Sequence, residues 1–359
     1  MRLAACLFAA LLFGCSSNNA ATESPAADTG VEPTDTATNP AGEDTTVATF
    51  SKTHIYFTGT ENKRTADVDA TFPATGSYSS IVLRLSLECP SGKCDAWDRF
   101  GTLGIVTKKG DKPENDTVVE VARFMTPYGV GGAWDYDVTD LRPLLKGPLT
   151  LRTFIDTWVG PGSSSGNGWL VTASFEMTGG VPEKEAVAVL PIWTMHSGVY
   201  GDPAKPLSTS FPPQKVTPPS GSTSWAIRSF ITGHGQGNLE NCAEFCAREH
   251  SLTVGATPYK QKVWRTDCAT TTVPGQKGTY KLSRAGWCPG ADVRPWTVDV
   301  TADVKGETTI GYGVQTYENT CRPDATTCTG CSLGTDCKYD GGNHTEPSYF
   351  VSSLLIAYR

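Results

Sequence analysis

Ser80-Ile-Val-Leu-Arg-Leu-Ser-Leu87 and Trp169-Leu-Val-Thr-Ala-Ser-Phe-Glu-Met177 are the runs that decide the fold class. In the first, Ile81, Leu83, Leu85 and Leu87 alternate with Ser80, Val82, Arg84 and Ser86. In the second, Trp169, Val171, Ala173, Phe175 and Met177 share one parity. A period of two places each set on one face of a strand, with the polar set on the other. Similar β-branched and aromatic runs, bounded by Gly, Pro, Asn and Ser, cover 53–58, 118–124 and 149–157. After a linker-like Thr178-Gly-Gly-Val-Pro-Glu-Lys184 the style repeats over 186–193, 224–231, 251–254, 297–304, 308–316 and 348–358. No long stretch has helical periodicity. Many short strands must close or pair sheets to protect their edges, so the expected fold is all-β, with two sandwich or jelly-roll domains over about 50–180 and 185–359.

The N-terminus has a different character. Arg2 followed by an apolar Leu3 to Phe13 reads as an export signal over 1–14, too short to span a bilayer permanently. Leu12-Phe-Gly14-Cys15 has the form of a bacterial lipobox, which would make Cys15 a lipidated N-terminus; cleavage near Ala20 or Ala21 is the plainer alternative. Residues 16–49 carry six acidic side chains and no Lys or Arg, within Thr, Ala, Pro, Ser and Asn. Such a segment buries too little apolar surface to offset its ordering entropy, so 15–49 is expected to be a disordered tether.

That tether holds most of the net charge of −7, and the remainder, at about −2, is nearly neutral with no basic run. Nothing in this balance favours nucleic acid or an anionic lipid surface as partner. Of the twelve cysteines, Cys6 leaves with the signal and Cys15 with the lipid, so ten remain. An even count in an exported chain suggests up to five disulfides. Cys321, Cys328, Cys331 and Cys337 could be two disulfides pinning an insertion over 321–337, or a four-thiolate zinc site; the exported context favours the disulfides.

Chemistry concentrates in three stretches: Cys89-Pro-Ser-Gly-Lys-Cys94-Asp-Ala-Trp-Asp98-Arg99, Asn241-Cys242-Ala-Glu244-Phe-Cys246, and Arg284-Ala-Gly-Trp287-Cys288-Pro-Gly290. A ring this small adds little loop-closure entropy; its use is to fix local backbone direction beside a carboxylate. These stretches, with Arg123-Phe-Met-Thr-Pro-Tyr128 and Asp137-Val-Thr-Asp-Leu141, resemble in order and spacing the bacterial peptide-N-glycosidase F family. The resemblance covers nearly all of 50–359. It implies two adjacent eight-stranded jelly rolls and the disulfide pairs Cys89 to Cys94, Cys242 to Cys246 and Cys268 to Cys288. It also implies an amidase that cleaves the glycan-bearing asparagine amide of N-glycoproteins or glycopeptides, as a monomer, without metal or organic cofactor. A lipid anchor at Cys15 would be the sole tie to a membrane, placing the protein in the periplasm or at the cell surface.

By the same resemblance Asp98 takes the place of the principal catalytic aspartate and Glu244 of a glutamate working through a bridging water. Arg284 and Trp287 match the active-site wall. Arg99 is expected to hold the neighbouring carboxylate ionised. Asp156, in Phe154-Ile-Asp156-Thr-Trp158, departs from the family's glutamate by one methylene. Trp97, Trp158 and Trp287 are candidate sugar platforms, since aromatic faces suit the apolar face of a pyranose. His234, in Gly233-His-Gly-Gln-Gly237, is either a cleft residue or a bare turn histidine. Two rival readings are a noncatalytic glycan-binding lipoprotein and a two-carboxylate glycosidase that leaves GlcNAc on the peptide.

Overall fold

The strand alternation in 80–87 and 169–177 has the packing it predicts: Ile81, Leu83, Leu85, Leu87, Trp169, Val171, Ala173, Phe175 and Met177 are all buried in one core. The computed structural model describes residues 39–333 and 336–359. Its described residues carry eighteen strands, paired antiparallel throughout. The first half holds β1 (Thr45–Ala48), β2 (Thr53–Phe57), β3 (Asn62–Lys63), β4 (Thr65–Phe72), β5 (Tyr78–Glu88), β6 (Phe100–Lys108), β7 (Thr117–Met125), β8 (Gly132–Asp137), β9 (Gly147–Ile155) and β10 (Trp169–Gly179). They form a sheet in the order β3-β2-β10-β5-β8, with β1 also on β10, and a second sheet β4-β9-β6-β7.

The second half holds β11 (Ala186–Val199), β12 (Gln214–Val216), β13 (Ser224–His234), β14 (Arg248–Val254), β15 (Thr257–Val263), β16 (Trp296–Asp299), β17 (Thr308–Val314) and β18 (Ser348–Tyr358). Here the sheets are β11-β18-β13-β16 and β12-β17-β14-β15, around a core of Ile227, Ile231, Leu252, Ile310, Val351 and Leu355. Burying each such side chain contributes about 2 kcal/mol against the unfolded chain. The whole is all-β, as expected.

One sheet explains how the halves join. Along β13 and β18 almost every residue is buried, not every second one. Ile227 and Leu355 face their own core, whereas Ala226, Leu354, Ile356 and Tyr358 pack into the core of the first half. A strand covered on both faces reads as a continuous apolar run. Arg123 is the polar anchor of this seam: it bonds Glu120 through two nitrogens (2.7 and 2.8 Å) and donates to Thr232 Oγ1 (3.0 Å) and the Phe350 carbonyl (2.7 Å). Phe100, Met125, Phe230, Trp287 and Val293 complete the seam directly beneath the functional residues.

The tether expected over 15–49 ends earlier than its composition suggests. Ala41 bridges Ser77, Thr45–Ala48 pairs with Ser174–Met177, and the Thr49 amide donates to the Ala173 carbonyl at 3.0 Å. The physical reason is an edge: β2 pairs only with 169–171 of β10, so the backbone groups of 174–177 that face away from β5 would otherwise stay unpaired. The expected signal over 1–14, Cys15 and the tether up to residue 38 lie outside the described residues.

Candidate active site

Where β5 ends, the Cys89–Cys94 disulfide folds the chain back toward β6. The residue that organises this turn is Asp95, which sequence reasoning missed. It is fully buried and accepts hydrogen bonds from the Trp97 amide (3.0 Å), Thr157 Oγ1 (2.7 Å) and Arg99 Nε (2.7 Å). Arg99 favours ionised Asp98 only through its charge; its guanidinium bonds turn inward to Asp95, because a buried carboxylate must be paired. Asp98 is left projecting from the turn, with its neighbours on either side tied down.

Glu244 is presented by the second small ring, Cys242–Cys246. Its amide donates to the Gly235 carbonyl (3.0 Å) and its carbonyl accepts from the Ala285 amide (2.9 Å), which draws the 284–290 stretch alongside. The Cys268–Cys288 disulfide holds that stretch from behind. Arg284 is the result. It is almost fully buried, and its Nε donates to Glu244 Oε1 at 2.9 Å while Nη2 stands 3.9 Å from Asp98 Oδ2. Its other donors are taken by the Thr279 and Leu282 carbonyls (3.0 Å each) and by Thr279 Oγ1 (3.1 Å). One guanidinium thus serves two carboxylates from the two halves of the molecule.

Burial dominates the electrostatics. It pushes the Asp98 carboxyl above its ordinary value, against the Arg284 charge, the Tyr128 hydroxyl and the Arg99 charge. It also pushes Glu244 up to about 7, with Arg284 opposing and the Asp98 charge adding. Two carboxyls that resist ionisation beside one cation can hold and exchange a proton, and Glu244 does so near neutrality. Burial and the Arg123 charge drive His234 down to about 3, so its imidazole is neutral. Its Nε2 lies 2.9 Å from Thr232 Oγ1 and its ring stacks on Trp287 at 5.5 Å. It lies at the end of β13 and lines the cleft.

These groups surround a cleft of about 730 Å³ lined from both halves, by Trp97 to Phe100, Tyr128 and Asp156 on one side and Gln236, Glu244, Phe245, Thr279 and Arg284 on the other. Gly341, Gly342 and Thr345 add a third wall. Asp156 sits just past β9, anchored by its amide on the Phe100 carbonyl (2.9 Å), and pairs with Arg64 Nη1 at 3.0 Å. Arg64 in turn lies over the Trp158 ring, 4.3 Å from its centroid.

Models of the peptide-N-glycosidase F N-terminal and C-terminal domains match residues 110–172 and 207–332. The peptide-N(4)-(N-acetyl-beta-D-glucosaminyl)asparagine amidase F of Elizabethkingia miricola is 28% identical over 287 residues, 76% of this chain and 77% of that protein. The chain belongs to the peptide-N-glycosidase F family. Among solved structures, a peptide-N(4)-(N-acetyl-beta-D-glucosaminyl)asparagine amidase superposes with a TM-score of 0.71 at 23% identity, covering 88% of this chain and 96% of that one. PNGF-II superposes with a TM-score of 0.65 at 16% identity, covering 88% of this chain and 65% of that one. Both share the fold.

Against the family expectation, the structure gathers Asp98, Glu244, Asp156, Trp97, Arg99, His234, Arg284 and Trp287 around one cleft. Two of the three expected sugar platforms change meaning. Trp287 is 3% exposed, donates Nε1 to the Gly233 carbonyl (2.8 Å) and carries Arg284 on its face, which leaves no free face for a pyranose. Trp158 is exposed but lies beside the cleft, behind Arg64. Trp97 is exposed on the cleft itself. Sequence reasoning also passed over Arg64, Tyr128 and Thr279. Tyr128 stood inside a quoted motif, but nothing in the sequence aims its hydroxyl; Arg64 pairs with a residue 92 positions away.

Proposed function

We propose that this chain hydrolyses the amide joining the asparagine side chain to an N-linked glycan in glycoproteins or glycopeptides. The observation that carries the reading is Arg284, seated between Asp98 and Glu244 at the base of a cleft built by both halves. Water oxygen adds to the side-chain carbonyl carbon, the bond to nitrogen breaks, and the nitrogen departs protonated as a glycosylamine. Asparagine becomes aspartate. Asp98 is the primary catalytic carboxylate. Glu244, held near neutral titration, positions the water and takes up its proton. Arg284 supplies positive charge where the carbonyl oxygen becomes negative, in a site dry enough for that charge to count. Asp156 lines the same cleft and contributes to holding the intermediate, its shorter reach supported by Arg64.

The test is mass spectrometry of an N-glycopeptide incubated in heavy-oxygen water. Heavy oxygen should appear in a new aspartate with the wild-type chain and be absent with Asp98→Ala. A GlcNAc left on the peptide would replace this reading with a glycosidase, and an intact but bound glycopeptide with a glycan-binding protein.

We further propose that the protein works outside the cytoplasm as a monomer anchored through a lipidated Cys15. Support comes from the lipobox form of 12–15 and from five disulfides among the described residues. Labelled palmitate should enter the wild-type chain and not Cys15→Ala; equal absence from both would remove the anchor.

A further inference from the structure

The turn that presents Glu244 does not stand alone. Residues 235–242 are gripped on their outer side by the cysteine-rich segment, whose four cysteines pair as Cys321–Cys331 and Cys328–Cys337 disulfides. Leu239 makes an antiparallel bridge with Cys331. The Ser332 amide donates to the Gly237 carbonyl (3.1 Å), and the Thr345 amide to the Gln236 carbonyl (3.0 Å). The approach is so close that a Cβ on Gly237 would fall 2.5 Å from the Asn343 carbonyl oxygen, and one on Gly235 2.4 Å from that of Glu346.

At the centre of this grip is Asn238, fully buried, with every side-chain polar atom engaged. Its Nδ2 donates to the carbonyls of Cys242 (2.7 Å), Thr345 (2.8 Å) and Gln236 (3.3 Å). Its Oδ1 accepts from Asn319 Nδ2 (2.8 Å) and lies 3.2 Å from His344 Nε2. One amide therefore ties the ring of Glu244, through the Cys242 carbonyl, to Asn319, His344 and Thr345, which flank the cysteine-rich segment in the chain. The stretch that follows the segment brings Gly341, Gly342 and Thr345 to the cleft wall.

We propose that the cysteine-rich segment, together with its flanks at Asn319 and at 343–346, is a built-in positioning element for Glu244, acting through Asn238 as the positioning residue. This rests on the reading of Glu244 as the group that works on water. Asn238 touches no substrate; it sets where the ring holds the carboxylate against Arg284. A displacement of about 1 Å in a reacting group can cost about 100-fold in rate. A purely structural amide would lower stability without changing the turnover of the molecules that stay folded.

The experiment compares the full chain with Asn238→Ala and, as the milder case should Asn238→Ala fail to fold, His344→Phe. Turnover of an N-glycopeptide by the folded fraction is measured together with amide hydrogen exchange over 236–245. In Asn238→Ala, kcat should fall about 10- to 100-fold with KM within about twofold. Exchange across 236–245 should rise at least about tenfold while β5 and β10 stay protected. His344→Phe should move both in the same direction by about threefold to tenfold. Unchanged kcat with only a lower Tm, or a rise in KM alone, would overturn the proposal, as would unchanged exchange. If the wild-type chain itself fails to cleave, the functional reading is lost, and the exchange result still decides whether Asn238 positions the ring.

Discussion

The cleft and the surface beside it carry the same kind of assembly twice. Glu244, Arg284 and Trp287 form a carboxylate, a guanidinium and an indole in contact, and so do Asp156, Arg64 and Trp158. The ion pairs are nearly equal, 2.9 and 3.0 Å, and the cations lie 4.8 and 4.3 Å from their ring centroids. Burial separates them. The Glu244 and Arg284 side chains are 15% and 1% exposed, whereas Asp156 is 45% exposed and Trp158 53%. In the first trio desolvation, together with the charge of Asp98 on the far side of Arg284, raises the Glu244 carboxyl to about 7. In the second the same contacts remain a solvated rim. The same classes of side chain acquire different electrostatics according to the water around them.

The buried trio should break the more dramatically. Glu244→Gln keeps the shape and loses the titration, so kcat should fall about 100- to 10,000-fold. The rise of wild-type kcat with pH through about 7 should vanish in the variant's residual activity. Stability gives an independent reading. Between the ordinary carboxyl value of 4.5 and about 7 the folded chain holds a proton at Glu244 that the unfolded chain has released, so stability falls as pH rises through this window. Urea unfolding across that range should show the fall in wild type and a shallower one in Glu244→Gln, Asp98 supplying the rest. A variant as steep as wild type would mean that Glu244 does not carry the proton.

The exposed trio should respond less. Asp156→Ala removes one partner of a solvated pair, so unfolding free energy should move by no more than about 1 kcal/mol. Its kcat/KM should drop about tenfold, far less than for Glu244→Gln. A loss as large as that of Glu244→Gln would place Asp156 among the groups that touch the reacting atoms and erase the distinction between the two trios.

Much of this was legible beforehand, for identifiable reasons. Alternation in 80–87 and 169–177 specified strands and their inward faces, because a pleated strand leaves only one parity to bury. The small rings around Asp98 and Glu244 were legible because a disulfide across four or five residues constrains only its own neighbourhood. What local pattern could not show was which partner each charge would choose. Arg99 stands next to Asp98 in the chain yet bonds Asp95, and Trp287 looks like a platform yet lies beneath Arg284. The acidic composition around Thr45–Ala48 spoke for a tether, while the open edge of β10 drew those residues into the sheet.

From its sequence alone this protein had its fold class, its small disulfide rings and the carboxylates beside them that the structure brings to one cleft, since these depend on periodicity, short spacing and ordered motifs. Only tertiary structure decided that one arginine would stand between Asp98 and Glu244, that Arg64 would reach Asp156, and that a distant cysteine-rich segment would grip the Glu244 turn. Each of those contacts joins residues far apart in the chain, and the burial that sets their chemistry exists only after both halves have packed.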